Sequence, residues 1–407
     1  MRREGKPASR QIRLIGLNIA VWALVGLTGC LSPVAMHRAV LEYDRTVSRV
    51  EAEMLLLNIA RARYLQPTHF TAISSVAATF DFRVNTGVTG VFAENPGTDA
   101  FSLTLGSSVA ENPTVTIIPI QGEEFTQRIL TPMDETKFKF LVHQGIEPAI
   151  ILRLMVRGIQ LEEQGGTAFF LNLPHRTEEY AEFRRRILHL SSLNLARQLH
   201  VGPLIFEETW PMPKERAPTL GEFLQASEKG YQWIVTGSGK TYALKKKVTG
   251  RIAITNYNPD QLPNEERWRL HESAQRHPRN MVLVDIRPDG PGGAYPFRGF
   301  IKLRSFNAII EFLARGIADE PEFPVGKDPR TERHPPNPVR TMELLESAVT
   351  PPGASFSVEH EGLAYSLVAR SEHADWNMEA FRVLNHLYQM TVTDVARVPS
   401  PQITISK

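Results

Sequence analysis

The sequence predicts an α+β protein: an N-terminal amphipathic helix and a long antiparallel β-hairpin, followed by mixed helix and short-sheet domains. Three observations carry this. Apolar residues keep helical spacing from about residue 33, and the period then changes from 3.6 to 2. From Glu123 onward, helical runs alternate with short extended ones between Gly and Pro breaks. The chain has 407 residues, 42% hydrophobic and 22% charged, enough for two or three domains with cores of their own, which excludes disorder and collagen-like repeats. A single cysteine, Cys30, excludes an intramolecular disulfide framework, CxxC redox chemistry and zinc sites built on paired thiolates.

Residues 33–64 form the first element. Val40, Val47, Val50, Met54, Leu57 and Ile59 line one side of a helix and Arg45, Arg49, Glu51 and Glu53 the other, with Pro67 closing it. Leu55 and Leu56 widen the apolar stripe and predict burial against more than one neighbour. Strict alternation follows: Val76, Ala78, Phe80, Phe82, Val84 and Val88 share one parity, Thr79, Asp81, Arg83, Asn85 and Thr89 the other. Asn95, Pro96, Gly97 and Asp99 supply a turn, and Phe101, Leu103, Leu105 and Val109 alternate again. A third extended run is expected over 115–120.

A tilted membrane strand needs only about 9 to 11 residues, so either arm is long enough to cross a bilayer. Val76, Phe80, Phe82 and Val84 are therefore candidates for lipid or partner contact. One hairpin cannot close its own edges in lipid, so such a role requires several copies sharing a barrel. The plainer alternative is a half-buried sheet covered by the first helix.

Beyond the hairpin, residues 121–209 read as a mainly helical α+β domain and 210–320 as a second α+β domain. A charged proline-rich linker is expected over 321–340, with a helix over 341–349 opening a C-terminal helix and strand segment that reaches residue 407.

At the N-terminus, Arg2, Arg3, Lys6, Arg10 and Arg13 precede an apolar run over 14–26, too short to span a bilayer as a mature helix. Leu27, Thr28, Gly29 and Cys30 follow, and here the sequence resembles the lipobox of bacterial lipoprotein precursors. The resemblance implies that 1–29 is a signal peptide cut between Gly29 and Cys30. It also implies diacylglycerol on the Cys30 sulfur and an acyl chain such as palmitate on the new amino terminus. Leu31 in place of aspartate implies the outer membrane, and several acyl chains make such anchoring effectively permanent. LLLNIARARY with PTHFTAISS, ENPTVTIIP with QGEEFTQRILTP, and the closing PSPQITIS are similar to patches of a group of proteobacterial outer-membrane lipoproteins to which no catalytic assignment attaches.

Cleavage removes five basic residues and one acidic residue, leaving 41 against 43 and a net charge of −2 in place of +2. The basic character belongs to the signal peptide, so no nucleic-acid footprint survives. Lys245, Lys246 and Lys247 are the densest basic stretch of the mature chain and candidates for contact with acidic headgroups or a partner.

Few constellations invite chemistry. Gly237, Ser238, Gly239, Lys240 and Thr241 end like a phosphate-binding loop. Ile234 stands where its first glycine belongs, and a strand pattern follows where a helix is needed, so no nucleotide is expected. Glu123 and Glu124, being adjacent, point about 100° apart on a helix. His271 and His277 lie six apart, off the i, i+4 zinc spacing, and Asp285 with Asp289 is a calcium loop only in fragment. No catalytic residue, metal or cofactor is assigned. The expected protein is a periplasm-facing outer-membrane lipoprotein serving as a non-enzymatic structural or assembly component, by self-association or with an envelope protein partner. The alternative is an envelope-polymer hydrolase or carbohydrate-binding enzyme with its site near the 288–293 loop.

Overall fold

The computed structural model describes residues 31–91, 100–163, 165–212, 217–236, 241–368 and 372–392. Gly29 and Cys30 with the expected signal peptide, the turn expected at 95–99, positions 237–240 and the closing run 402–406 lie outside the described residues. The chain forms two compact units: one contains 31–54, 71–91 and 100–119, and the other 55–70 and the described part of 120–396.

The first helix, α1 (Leu31–Arg63), covers nearly the predicted range, and Arg61 and Arg63 in its last turn complement the helix dipole. Leu55, Leu56, Ile59 and Ala60 are fully buried, as the widened stripe predicts. β1 (Phe70–Val91) and β2 (Ala100–Ile120) pair as a two-stranded sheet, the long ribbon expected from alternation. The separate run expected over 115–120 is instead the end of β2, whose strand continues through Pro113; an open edge tolerates the missing N–H. Val76, Phe80, Phe82 and Val84 lie on β1, but their side chains are outside the described residues.

The second unit continues with α2 (Glu123–Leu130), α3 (Glu135–Val142) and α4 (Pro148–Met155). The Asp134 carboxylate caps α3, accepting from the Thr136 and Lys137 amides at 3.0 Å each. Pro148 pre-sets the first turn of α4, all of whose residues are buried. Then come β3 (Val156–Glu163), β4 (Gly166–Leu171), α5 (Thr177–Leu195) and β5 (His200–Met212). α6 (Leu220–Glu228) opens on a reciprocal capping box between Thr219 and Glu222. β6 (Gln232–Thr236), β7 (Thr241–Thr255), α7 (Asn264–Gln275), β8 (Met281–Ile286), β9 (Phe297–Leu303) and α8 (Phe306–Ala318) follow. β10 (Leu344–Ser347), β11 (Ala354–His360), β12 (Leu363–Val368) and α9 (Ala374–Val392) complete the unit.

The main sheet has the order β4-β3-β9-β8-β7-β5, with β6 added on β7. Only β7 and β8 are parallel, and α7 supplies the crossover that parallel pairing requires. β8 is buried along its whole length, which explains its apolar run Met281–Val284, with Asp285 the one charged residue among its six. Leu204, Ala253, Leu270, Ala274, Leu283 and Phe300 join α7 to the sheet. At Gly299 a Cβ would stand 2.0 Å from the Gln160 carbonyl oxygen, so β9 approaches β3 too closely for any other residue. A second sheet has the order β10-β12-β11.

The α+β class holds, with three corrections to the organisation expected from sequence. The ranges 121–209 and 210–320 share one sheet: β3 pairs with β9 and β5 with β7, and β5 itself runs across residue 209. Long-range strand pairing leaves no local mark in composition. The 321–340 segment is no free linker, since Val325, Asp328 and Thr331 within it are buried. Residues 344–347 form a strand where a helix is expected, because a tertiary partner, β12, takes up their backbone groups.

Candidate functional site

The most distinctive feature of the chain is the β1–β2 ribbon, and the second unit fixes the residues that lead into it. Asn58, fully buried on α1, makes a two-way clasp with His69: its Nδ2 donates to the His69 carbonyl at 2.8 Å and its Oδ1 accepts from the His69 amide at 2.7 Å. Phe70, the first residue of β1, is buried among aromatic rings. It stacks on Tyr388 with centroids 5.4 Å apart and lies 5.8 Å from Phe125 and 6.0 Å from Phe306. Between helix and clasp, Leu65 takes a left-handed backbone (φ 58) and is 93% exposed. A cleft of about 1000 Å³ lies here, lined by Arg63, Leu65, His69, Phe125, Arg315 and Asp319 among others.

A second constellation, invisible in the sequence, pins the 321–341 segment. Glu322 accepts from the Tyr180 hydroxyl at 2.7 Å, the Thr341 hydroxyl at 2.8 Å and Arg153 Nη2 at 3.0 Å, and its other oxygen accepts from the Thr341 amide. Arg184 donates to Tyr180 Oη at 2.8 Å and to Asn337 Oδ1 at 2.6 Å, while Arg153 also donates to the Pro338 and Val339 carbonyls at 2.9 and 2.8 Å. Burial alone would raise the Glu322 carboxyl, but Arg153 and Arg184 outweigh it and hold it below the usual range. Burial also lowers Arg153 and raises Tyr180. Apart from Arg184 Nε, which is buried without an acceptor, the guanidinium donors here are spent on the protein's own carbonyls, side-chain oxygens and the Glu322 carboxylate, which makes this a structural lock. Arg304 plays a related part. It donates to the Arg153 and Leu154 carbonyls at the end of α4 and to Asn172 O, and burial lowers its pKa to about 9.

The candidates read from sequence fall in different places. Lys245 pairs with Glu207 at 2.5 Å and Lys246 lies over the Tyr231 ring at 4.5 Å, leaving Lys247 the exposed member of the run. β7 enters directly at Thr241 as a strand, so no helix follows the Gly-Lys sequence to cradle phosphate. Glu123 and Glu124 stand in the first turn of α2, where Gln127 and Arg128 bind them from one turn on. His271 accepts the Arg251 amide at 3.0 Å through Nδ1, whereas His277 stacks on Phe300 at 3.8 Å. Arg251 itself is a buried knot: its Nε donates to both Glu135 oxygens at 2.9 and 2.8 Å, and Nη1 and Nη2 donate to the carbonyls of Ala274, His277, Pro278 and Met281. Among the described residues no three His, Cys, Asp or Glu side chains gather as a metal-binding group.

Near the 288–293 loop, Asp285 is buried and accepts from the Tyr257 hydroxyl at 2.7 Å and from Arg287 Nε at 2.9 Å; Arg287 also binds Glu266 at 2.7 Å. Burial works against the Arg287 charge, but the hydrogen bond and charge of Asp285 prevail and raise its pKa. Burial and the same carboxylate raise Tyr257. The two carboxylates that meet here thus converge on an arginine rather than on open space, and Asp289 is exposed.

His189, buried behind this loop, bonds Thr331 through Nδ1 at 3.1 Å. Burial lowers its pKa to about 4, against the opposing charge of Asp328 and with Arg330 reinforcing the shift. Unfolded His189 takes a proton near pH 6.5 and the folded residue only near pH 4, so in that window the unfolded state binds more protons. Stability therefore falls as the pH drops from 6.5 to 4, by a contribution on the order of 3 kcal/mol. Chemical denaturation across that range should show a shallower loss in His189→Gln than in the parent. Equal slopes would refute it.

Sequence reasoning missed Asn58, Phe70, Glu322, Arg153 and Arg184 as organising residues; the partners of all but Asn58, which clasps His69, lie far along the chain. The one available signal was an arginine inside the otherwise apolar run of 149–155, which demands a buried partner. Comparison with family models, with curated proteins and with solved structures finds no match to this chain.

Proposed function

We propose that this chain is a lipid-anchored outer-membrane lipoprotein facing the periplasm, and that it serves as a structural or assembly component of an envelope complex by associating with copies of itself. The observation that carries the proposal is the β1–β2 ribbon, with strands of 22 and 21 residues and no third partner among the described residues. Two-stranded ribbons are marginal alone, and each outer edge presents a long row of unpaired N–H and C=O groups. Copies placed side by side satisfy both edges, and in lipid only closure into a shared barrel does so completely. No helix among the described residues is long and apolar enough to cross a membrane. The lipobox resemblance at Cys30 supplies the tether, and the internal pairing of Arg153, Arg184, Glu322 and Arg251 supports a scaffold reading over a catalytic one.

Two measurements test this. Metabolically supplied palmitate should enter the wild-type chain and not Cys30→Ser; label in both, or in neither, defeats the anchor. The native mass of detergent-extracted protein should be a multiple of the protomer, and a purely monomeric species would end the shared-ribbon reading.

A further inference from the structure

Trp268, His271, Glu272 and Gln275 recur at i, i+3, i+4 and i+7 on α7, a different face from the one on which Leu270 and Ala274 pack against the sheet. This stripe lines a cleft of about 600 Å³ in the second unit, whose other walls come from α3 and from strands β5 and β7. Small-molecule sites span about 300–1,000 Å³, so the space suits one or two rings.

The floor of the cleft is fixed. The His271 ring lies 4.7 Å from Phe206, and its Nδ1 accepts from the Arg251 amide at 3.0 Å. A Cβ at Gly250 would stand 2.5 Å from that Nδ1, so glycine leaves the ring its place. Above the floor, groups of the kind paired elsewhere in this unit have no protein partner among the described residues. Trp268 is 42% exposed and its indole N–H has no protein acceptor there. Glu208 is half-buried without a cation, because Lys246, opposite it on β7, lies over the Tyr231 ring instead. Lys139, over the Phe140 ring at 5.5 Å, and Arg279 have no carboxylate partner.

We propose that this cleft binds a sugar residue that carries a carboxylate, as part of an acidic glycan, with Trp268 as its platform. The apolar face of the sugar ring lies on the indole, the ring hydroxyls donate to Glu208, and the acid group meets Lys139 and Arg279. An apolar ligand would leave those three charges unsatisfied, and a polyanion would be opposed by Glu208 and Glu272. The choice of a glycan over a nucleotide rests on the periplasm-facing placement proposed above.

Isothermal titration of the detergent-extracted full chain tests the cleft. The probe is the disaccharide of N-acetylglucosamine and N-acetylmuramic acid, with diacetylchitobiose as its neutral counterpart and ADP as a third ligand. The acidic disaccharide should bind more tightly than the neutral one. Trp268→Ala should weaken both sugars several-fold and Trp268→Phe less, whereas Arg279→Ala should weaken only the acidic sugar. Trp210→Ala, which removes an exposed indole outside the cleft, should change neither. No binding of either sugar at millimolar concentration, binding indifferent to residue 268, or ADP bound in preference to both would overturn the proposal. Palmitate labelling separates the two readings. A labelled chain that binds no sugar rejects the cleft alone, and a sugar-binding chain without label rejects the anchor alone.

Discussion

Replacing Glu322 with alanine is expected to destabilise the second unit by about 3–5 kcal/mol, because it leaves Arg153 and Arg184 buried without their counter-charge. Both guanidiniums are almost wholly inaccessible to water, and their remaining hydrogen bonds run to the Pro338 and Val339 carbonyls and to neutral oxygens of Tyr180, Asn337 and Thr341, which cannot neutralise them. Glu322→Gln, which keeps an acceptor for Tyr180 and Thr341, should cost less. Denaturant midpoints with unchanged slopes measure both. A loss below about 1 kcal/mol for the alanine variant would mean that water reaches the arginines. The pair also sets a pH dependence. The folded carboxyl titrates below its ordinary value of 4.5, so its stabilisation is complete above that value and is lost as the pH falls further. Glu322→Gln should remove that part of the acid unfolding.

Phe70→Ala is expected to cost a comparable amount, about 3–5 kcal/mol, through the cavity left among Tyr388, Phe125 and Phe306. The consequence extends beyond the core, since Phe70 and the Asn58 clasp on His69 are what hold the start of β1. Phe70→Ala should therefore make the 64–69 segment open to protease at concentrations that leave the parent intact. Asn58→Ala should have the same effect while removing little apolar volume. If Phe70→Ala lowers the unfolding midpoint yet leaves cleavage unchanged, the start of the ribbon is held by something other than this cluster.

The alternation of residues 76–88 and 101–109, and the helical spacing of the apolar residues of α1, are local patterns, and local patterns fix element type. A side chain at every second or every 3.6th position faces one way whatever the rest of the chain does, so the helix, the ribbon and the α+β class were legible. The lipobox resemblance that ends at Cys30 likewise rests on a linear string of charge, apolar run and small residues. The sheet order was not legible, because β3 finds β9 and β5 finds β7 only after distant segments collapse together. The same holds for 321–341. Its prolines and charges read as a linker until Arg153 and Arg184 reach it from α4 and α5, more than 150 residues earlier in the chain. Periodicity carries the direction of a side chain and says nothing of its partner, so the sequence determined which elements form. The tertiary structure alone decided which charges are buried together and what they hold in place.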